Sequence, residues 1–234
     1  MKNNIVSSPR ARAIIGISVV MLICVLPLHG QGEEEDWDRV NSNLAIAISP
    51  SLHPTATYAG LGWGTVYGAG YNLSKHHSLI GEIMWTRFYA TDKALAPIRT
   101  ALQTSNINGH ADLVAFTGNY RLQFEGKVYG AYLIAGAGWY YRIAALSQRI
   151  TVGESVRCTP AWIWWGFTCT SGVVTSNQTL ASTSSTAPGG NIGVGFTIRA
   201  PDSRYKFYVE SRYHYAASRS VTTQAIPITI GIRF

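Results

Sequence analysis

The chain has 234 residues, with 19 Lys plus Arg against 12 Asp plus Glu and a formal net charge of +7. Charged residues are only 13% of the chain and aromatics 12%, where soluble domains carry roughly 25% charge. No basic cluster with interleaved aromatics appears, so nucleic acid is not an expected partner, and no apolar run reaches the roughly 20 residues a membrane-spanning helix needs.

Lys2, Arg10 and Arg12 precede the apolar run Ala13 to Leu28, the layout of a secretory signal peptide, assigned to residues 1–31. Cys24 follows Ile23 and is itself followed by more apolar residues, which argues against lipid modification there. An acidic lead-in is expected over 32–42, because clustered like charges such as Glu33-Glu-Glu-Asp36 stay solvated. Without Lys2, Arg10 and Arg12 the net charge falls to +4.

Eight strands are read over 43–234. They run near Asn43–Ser51, Gly62–Leu73, Leu79–Thr91, His110–Phe124, Lys127–Ile143, Gly190–Arg199 and Arg204–Ala217, and the last is Ile226–Phe234. Several alternate with period two, the mark of a strand with one apolar and one polar face. In the last, Ile226, Ile228, Ile230, Ile232 and Phe234 oppose Pro227, Thr229, Gly231 and Arg233. Connections alternate between long and short, the short ones at Ser74–His77, Glu125-Gly126 and Pro201–Ser203. This asymmetry predicts an all-β fold: an eight-stranded antiparallel up-and-down barrel that crosses a membrane with its apolar face outward. The inner face would carry glycines such as Gly68, Gly193 and Gly195, and Tyr and Trp near the strand ends would form two interfacial girdles.

The C-terminal Phe234, the hairpin Arg199-Ala-Pro-Asp-Ser-Arg204 and the stretch Phe207–Tyr215, above all Tyr208-Val-Glu210-Ser-Arg212-Tyr213, resemble the small outer-membrane β-barrel superfamily. That group includes OmpA-type membrane domains, OmpX-like proteins and opacity-type adhesins. The resemblance covers most of the mature chain and implies a bacterial outer-membrane location with both termini periplasmic. It also implies that Phe234 is an insertion signal read by the barrel-assembly machinery. No peptidoglycan-binding domain follows the barrel, and the resemblance implies architecture far more than activity.

Three groups of residues could carry function. Glu82, Arg121, Glu210 and Arg212 fall on the inner face, where charges must be paired or wet. Glu82 and Arg121 are expected to pair, and eight strands leave too little lumen for a wide pore. Cys158 and Cys169 are expected to form a disulfide in an oxidising compartment. That bridge would close part of a long loop over 144–189, which displays Trp162, Trp164, Trp165 and Phe167 as candidate binding anchors. The Ser/Thr-rich stretch that follows, to Pro188, reads as flexible. Arg87, Arg142, Arg149, Arg157 and Arg219 lie at or beyond the outer strand ends, where guanidinium forks suit lipopolysaccharide phosphates.

No metal or cofactor is implied. The resemblance implies, from the superfamily's lipid A deacylase, a Ser two residues after the triad His; here the position after His214 and Tyr215 is Ala216, so the nucleophile is missing. The expected function is therefore a plugged outer-membrane barrel with a structural or adhesin-like, surface-interaction role through its extracellular loops. Its expected partners are outer-membrane lipid, lipopolysaccharide and a surface ligand. A narrow porin is the alternative; a lipid A-modifying enzyme and a secreted lipocalin-like carrier rank lower.

Overall fold

The computed structural model describes residues 39–160, 167–201, 203–217 and 222–234, and leaves the side chains of 151–175 undescribed. The signal segment 1–31, most of the acidic lead-in, Trp162, Trp164, Trp165 and Arg219 lie outside the described residues, as do the side chains of Arg157, Cys158, Phe167 and Cys169. The strands are β1 (Val40–Ser49), β2 (Ala59–Asn72), β3 (His77–Ala90), β4 (Ile107–Glu125), β5 (Tyr129–Pro160) and β6 (Phe167–Arg199). They continue with β7 (Lys206–Ala216), β8 (Thr223–Ala225) and β9 (Ile228–Arg233).

Strands β1 to β7 each pair antiparallel with the next, and β9 returns to β1 through Asn43↔Arg233 to Ile48↔Ile228. β8 and β9 both pair with β7, so they form one strand position and the ring has eight. Pro227 divides them because it has no N–H to give the ladder. Ile226 sits in the break and donates its N–H to Pro50 O at 3.0 Å. Ile228, Ile230 and Ile232 face outward, whereas Ile226 is only half-exposed. β1 starts at Val40, paired with Tyr71, so the sheet begins inside the segment expected to be a solvated lead-in.

The pleat sorts side chains by parity. Asn41, Asn43, Ala45, Ala47 and Ser49 of β1 are buried, while Leu44, Ile46 and Ile48 are exposed. In β4 the buried set is Thr117, Asn119, Arg121 and Gln123, and in β7 it is Tyr208, Glu210, Arg212 and His214. Outward faces carry Leu133, Ile192, Val194, Phe196, Ile198, Phe207 and Val209. The interior is therefore polar over one half and apolar over the other, where Val66, Met84, Phe88, Leu113 and Ala115 pack together.

Tight turns close one end. Leu73 and Ser74 both donate to His77 O, Gly126 donates to Tyr129 O at 2.8 Å, and Ala200 donates to Tyr205 O at 3.1 Å. The opposite end holds the longer connections. Between β3 and β4 the chain forms a helix, α1 (Asp92–Leu102), capped by the Thr91 side chain. Leu95 of α1 is buried, and this helix stands where sequence gave only a connection.

The larger departure lies between β5 and β6. Residues 144–160 and 167–189 form a β-ribbon rather than an irregular loop: the ladder continues from Ile143↔Ser184 to Pro160↔Phe167. β4 leaves the β5 flank after Ile107↔Gln148, and β7 leaves the β6 flank after Gly189↔Ala216. Some 12 residue steps thus extend as a bare two-stranded ribbon, about 40 Å of strand. Thr, Val and Ile favour extended backbone, so a polarity that resembles disorder here marks a strand without a buried face.

Close packing of the lumen gives a direct test. A Cβ on Gly195 would stand 2.7 Å from Tyr132 Cε1. Gly195→Val should displace that ring and cost about 1–3 kcal/mol through overpacking, read by denaturant unfolding of protein refolded into lipid vesicles. Val at outward Gly118, whose Cβ would meet nothing within 4 Å, should leave stability nearly unchanged.

Candidate functional site

Glu210, Arg212 and His214 alternate along β7, so the pleat sends all three inward. Arg212 is held between two carboxylates. Its Nη2 donates to Glu82 Oε1 at 2.9 Å and to Glu210 Oε2 at 3.0 Å, and its Nη1 and Nε bond Glu82 Oε2 and Glu210 Oε1. β3, which carries Glu82, is four positions from β7 around the ring, so this contact crosses the barrel from wall to wall. Arg212, not Arg121, is thus the partner of Glu82. Sequence placed the inward charges but could not fix their heights in a tilted barrel.

Amides extend the brace. Asn119 Nδ2 donates to Glu82 Oε2 at 2.7 Å, Asn191 Nδ2 to Asn119 Oδ1 at 2.9 Å, and Asn43 Nδ2 to Glu82 Oε1 and to the Tyr208 hydroxyl, each at 3.2 Å. Tyr132 donates its hydroxyl to Glu210 Oε2 at 2.9 Å. Strands β1, β3, β4, β5, β6 and β7 therefore meet in one network. Sequence reasoning missed these amides, although their inward parity marked them. A cavity of about 10 Å³ adjoins Glu82, Glu210, Arg212, His214, Met84 and Pro227, room for roughly one water.

His214 lies one layer further along, its Nδ1 2.9 Å from the Tyr140 hydroxyl and the rings edge to face. No hydroxyl nucleophile follows it, since Ala216 occupies the next inward position on β7. Among the described residues no three His, Cys, Asp or Glu side chains gather as metal ligands. Arg121 is buried on the other side of the brace, with a 3.4 Å contact to Ser78 Oγ and the Tyr132 ring 5.7 Å away. Arg233 is also inside the lumen rather than at its mouth, over Tyr132 at 4.8 Å and Tyr208 at 5.3 Å. Phe234 joins Ser42 by two backbone bonds, and its ring meets Tyr205 edge to face at 6.3 Å.

The outer-end arginines differ among themselves. Arg87 makes a two-pronged pair with Asp112 at 2.7 and 2.9 Å and lies over Trp85. Arg142 donates to Ser185 Oγ at 3.1 Å and to Thr223 Oγ1 at 3.4 Å, while Arg149 is exposed. On the ribbon, residue 158 stands directly opposite residue 169 in the ladder.

No family model matches the chain, and no curated protein matches its sequence. Among solved structures it is similar to Ail, the attachment invasion locus protein of Yersinia pestis, at 15% identity over 83% of this chain and 97% of that one, with a TM-score of 0.45. It is also similar to Neisserial surface protein A at 13% identity, over 84% and 96%, with a TM-score of 0.48. A third is the N-terminal β-barrel domain of Pseudomonas aeruginosa OprF, at 10% identity over 84% and 98%, with a TM-score of 0.39. The barrel itself is established by this chain's own strand pairing.

The brace makes a signed prediction. Glu82→Gln leaves buried Arg212 with one carboxylate and should cost about 3–5 kcal/mol, the usual loss on breaking a buried ion pair. Replacing the whole cluster, Glu82→Gln with Glu210→Gln and Arg212→Met, should recover most of that loss, because none of these three positions then carries a charge that has lost its partner. Unfolding free energies in lipid vesicles measure both.

Proposed function

We propose that the chain is an outer-membrane β-barrel that closes its own lumen and works at the cell surface through the β5–β6 ribbon, in an adhesin-like role. The outward face supports the membrane location. Leu44, Ile46, Ile48, Phe116, Leu133, Ile192, Phe196, Phe207 and Ile230 are each about half-exposed or more, a far larger apolar band than a soluble monomer leaves in water. Tyr129 and Trp139, 71% and 65% exposed, bound that band on β5. Ten residues tilted near 45° span about 24 Å, close to the height of an outer-membrane apolar belt.

In this reading the tight turns and both termini are periplasmic, and the longer connections are extracellular. The barrel-assembly machinery reads the Phe234 end during insertion. The cross-lumen brace and the apolar layer behind it close the channel.

The ribbon is the observation that carries the surface role. From Phe167 to Ile198 its β6 strand has no Asp, Glu, Lys, Arg or His, and among the described residues no third strand flanks it beyond Gln148 and Gly189. An uncharged, uncovered strand edge is a template for partner backbone. The register of residues 158 and 169 suits a Cys158–Cys169 disulfide, since directly paired residues lie within bridging range. Such a bridge would close a ring around the segment that carries Trp162, Trp164, Trp165 and Phe167. Arg149 at the ribbon base and Arg157 further out along it, with Arg219 after β7 in sequence and Arg87 and Arg142 on the wall, would meet lipopolysaccharide phosphates.

Joining Gln148 to Gln178, which already pair, through Asn-Gly should remove the ribbon and spare the barrel. Made in a non-adherent Gram-negative host, the full chain should confer attachment to epithelial monolayers. The shortened chain should keep heat-modifiable gel mobility and outer-membrane fractionation but attach no better than an empty-vector strain. Full attachment by the shortened chain would contradict the reading.

A further inference from the structure

We infer that the polar end of the lumen is a binding site for one small inorganic anion, of halide size, held between Arg121 and Arg233. Both guanidiniums are deeply buried, at 1% and 5% exposure, and both lie against the same Tyr132 ring. Neither has a carboxylate partner among the described residues. Arg121 has a single 3.4 Å contact with Ser78, and its Nε has no acceptor. The Arg233 side chain has ring contacts with Tyr132 and Tyr208 but no hydrogen bond among the described residues, and its buried Nε and Nη1 are unpartnered. Buried donors left in this way call for an ion or a water.

Nearby carboxylates are already engaged. Glu82 and Glu210 both clamp Arg212, and the Tyr132 hydroxyl is committed to Glu210. At the turn end Glu125 is held by Lys206 at 2.6 Å and by Arg199 at 3.5 Å. Three buried arginines thus face two buried glutamates inside the barrel. Two of the arginines lie against one tyrosine ring, and like charges buried near one another repel more strongly than in water. Cation–π contact with Tyr132 and Tyr208 offsets part of that repulsion. A single anion accepting N–H bonds from both offsets the rest and satisfies the orphaned donors. Both guanidiniums are almost wholly buried, which favours a monatomic anion over phosphate or sulfate.

A water bridging to Gln123 is the competing occupant. Gln123 Nε2 donates to Lys75 O at 3.2 Å, and its Oε1 is unpartnered. Anion dependence separates the two. For the purified mature barrel in detergent, the Tm should rise from gluconate to chloride at equal ionic strength and saturate with concentration, as expected for a ligand bound only by the folded state. Arg121→Gln with Arg233→Gln should abolish the chloride-dependent rise. In crystals grown in bromide, an anomalous peak should lie within hydrogen-bonding reach of both guanidiniums. Should the double variant not fold, the bromide crystals of the unaltered protein decide alone. Absence of the peak, or an equal chloride response in a folded double variant, would overturn the proposal.

Discussion

Arg212 lies between Glu82 and Glu210 at the centre of a narrow cylinder, and the rest of the barrel is arranged around that contact. β7 supplies Arg212 and Glu210 two residues apart, and β3 supplies Glu82 from the opposite wall. A charge this deeply buried is tolerated only when its donors are all used. The surrounding Asn43, Asn119 and Tyr132 are therefore parts of one object, since each takes up a lone pair or proton that Arg212 leaves over. Small residues permit this approach. A Cβ on Gly193 would stand 2.6 Å from Arg212 Cγ, so the strand facing Arg212 has to be bare where the guanidinium stem passes.

This arrangement divides the labour of the molecule. The outward belt is mostly aliphatic and aromatic surface, the lumen is a packed core, and the long hairpin shares neither constraint. Past the bonds Arg149 N–H to Asn106 O and Ala217 N–H to Pro188 O, its strands pair only with each other among the described residues. A two-stranded ribbon is marginal in water by itself. Its root in the barrel ladder, continuous through Ala144↔Thr183, anchors it. The proposed surface role follows from this separation, because the ribbon can vary in sequence without disturbing the brace.

Much of the architecture was legible in the chain. Period-two alternation in the fourth, sixth and seventh strands located the inner and outer faces residue by residue, since a strand with lipid on one side and a packed lumen on the other has no freedom of parity. What alternation cannot supply is register between distant strands. Glu82 and Arg121 lie near the same turns, yet Glu82 points across the cylinder to Arg212. Arg233 alternated correctly inward, but sequence could not place it over Tyr132 and Tyr208. The ribbon escaped notice because Ser and Thr signal loops as readily as exposed strands, and only a paired partner decides between them. The helix Asp92–Leu102 is short and carries Pro97, which hid its single apolar face.

A lumen braced from wall to wall has a functional consequence independent of any ligand: it should not conduct. The enclosed space beside the brace holds about 10 Å³, and the layer behind it is apolar. Purified protein incorporated into planar lipid bilayers and recorded at low noise tests this most directly. The account predicts no stable open level for the unaltered protein. A steady, reproducible single-channel conductance would contradict it and return the barrel to the class of small-solute pores.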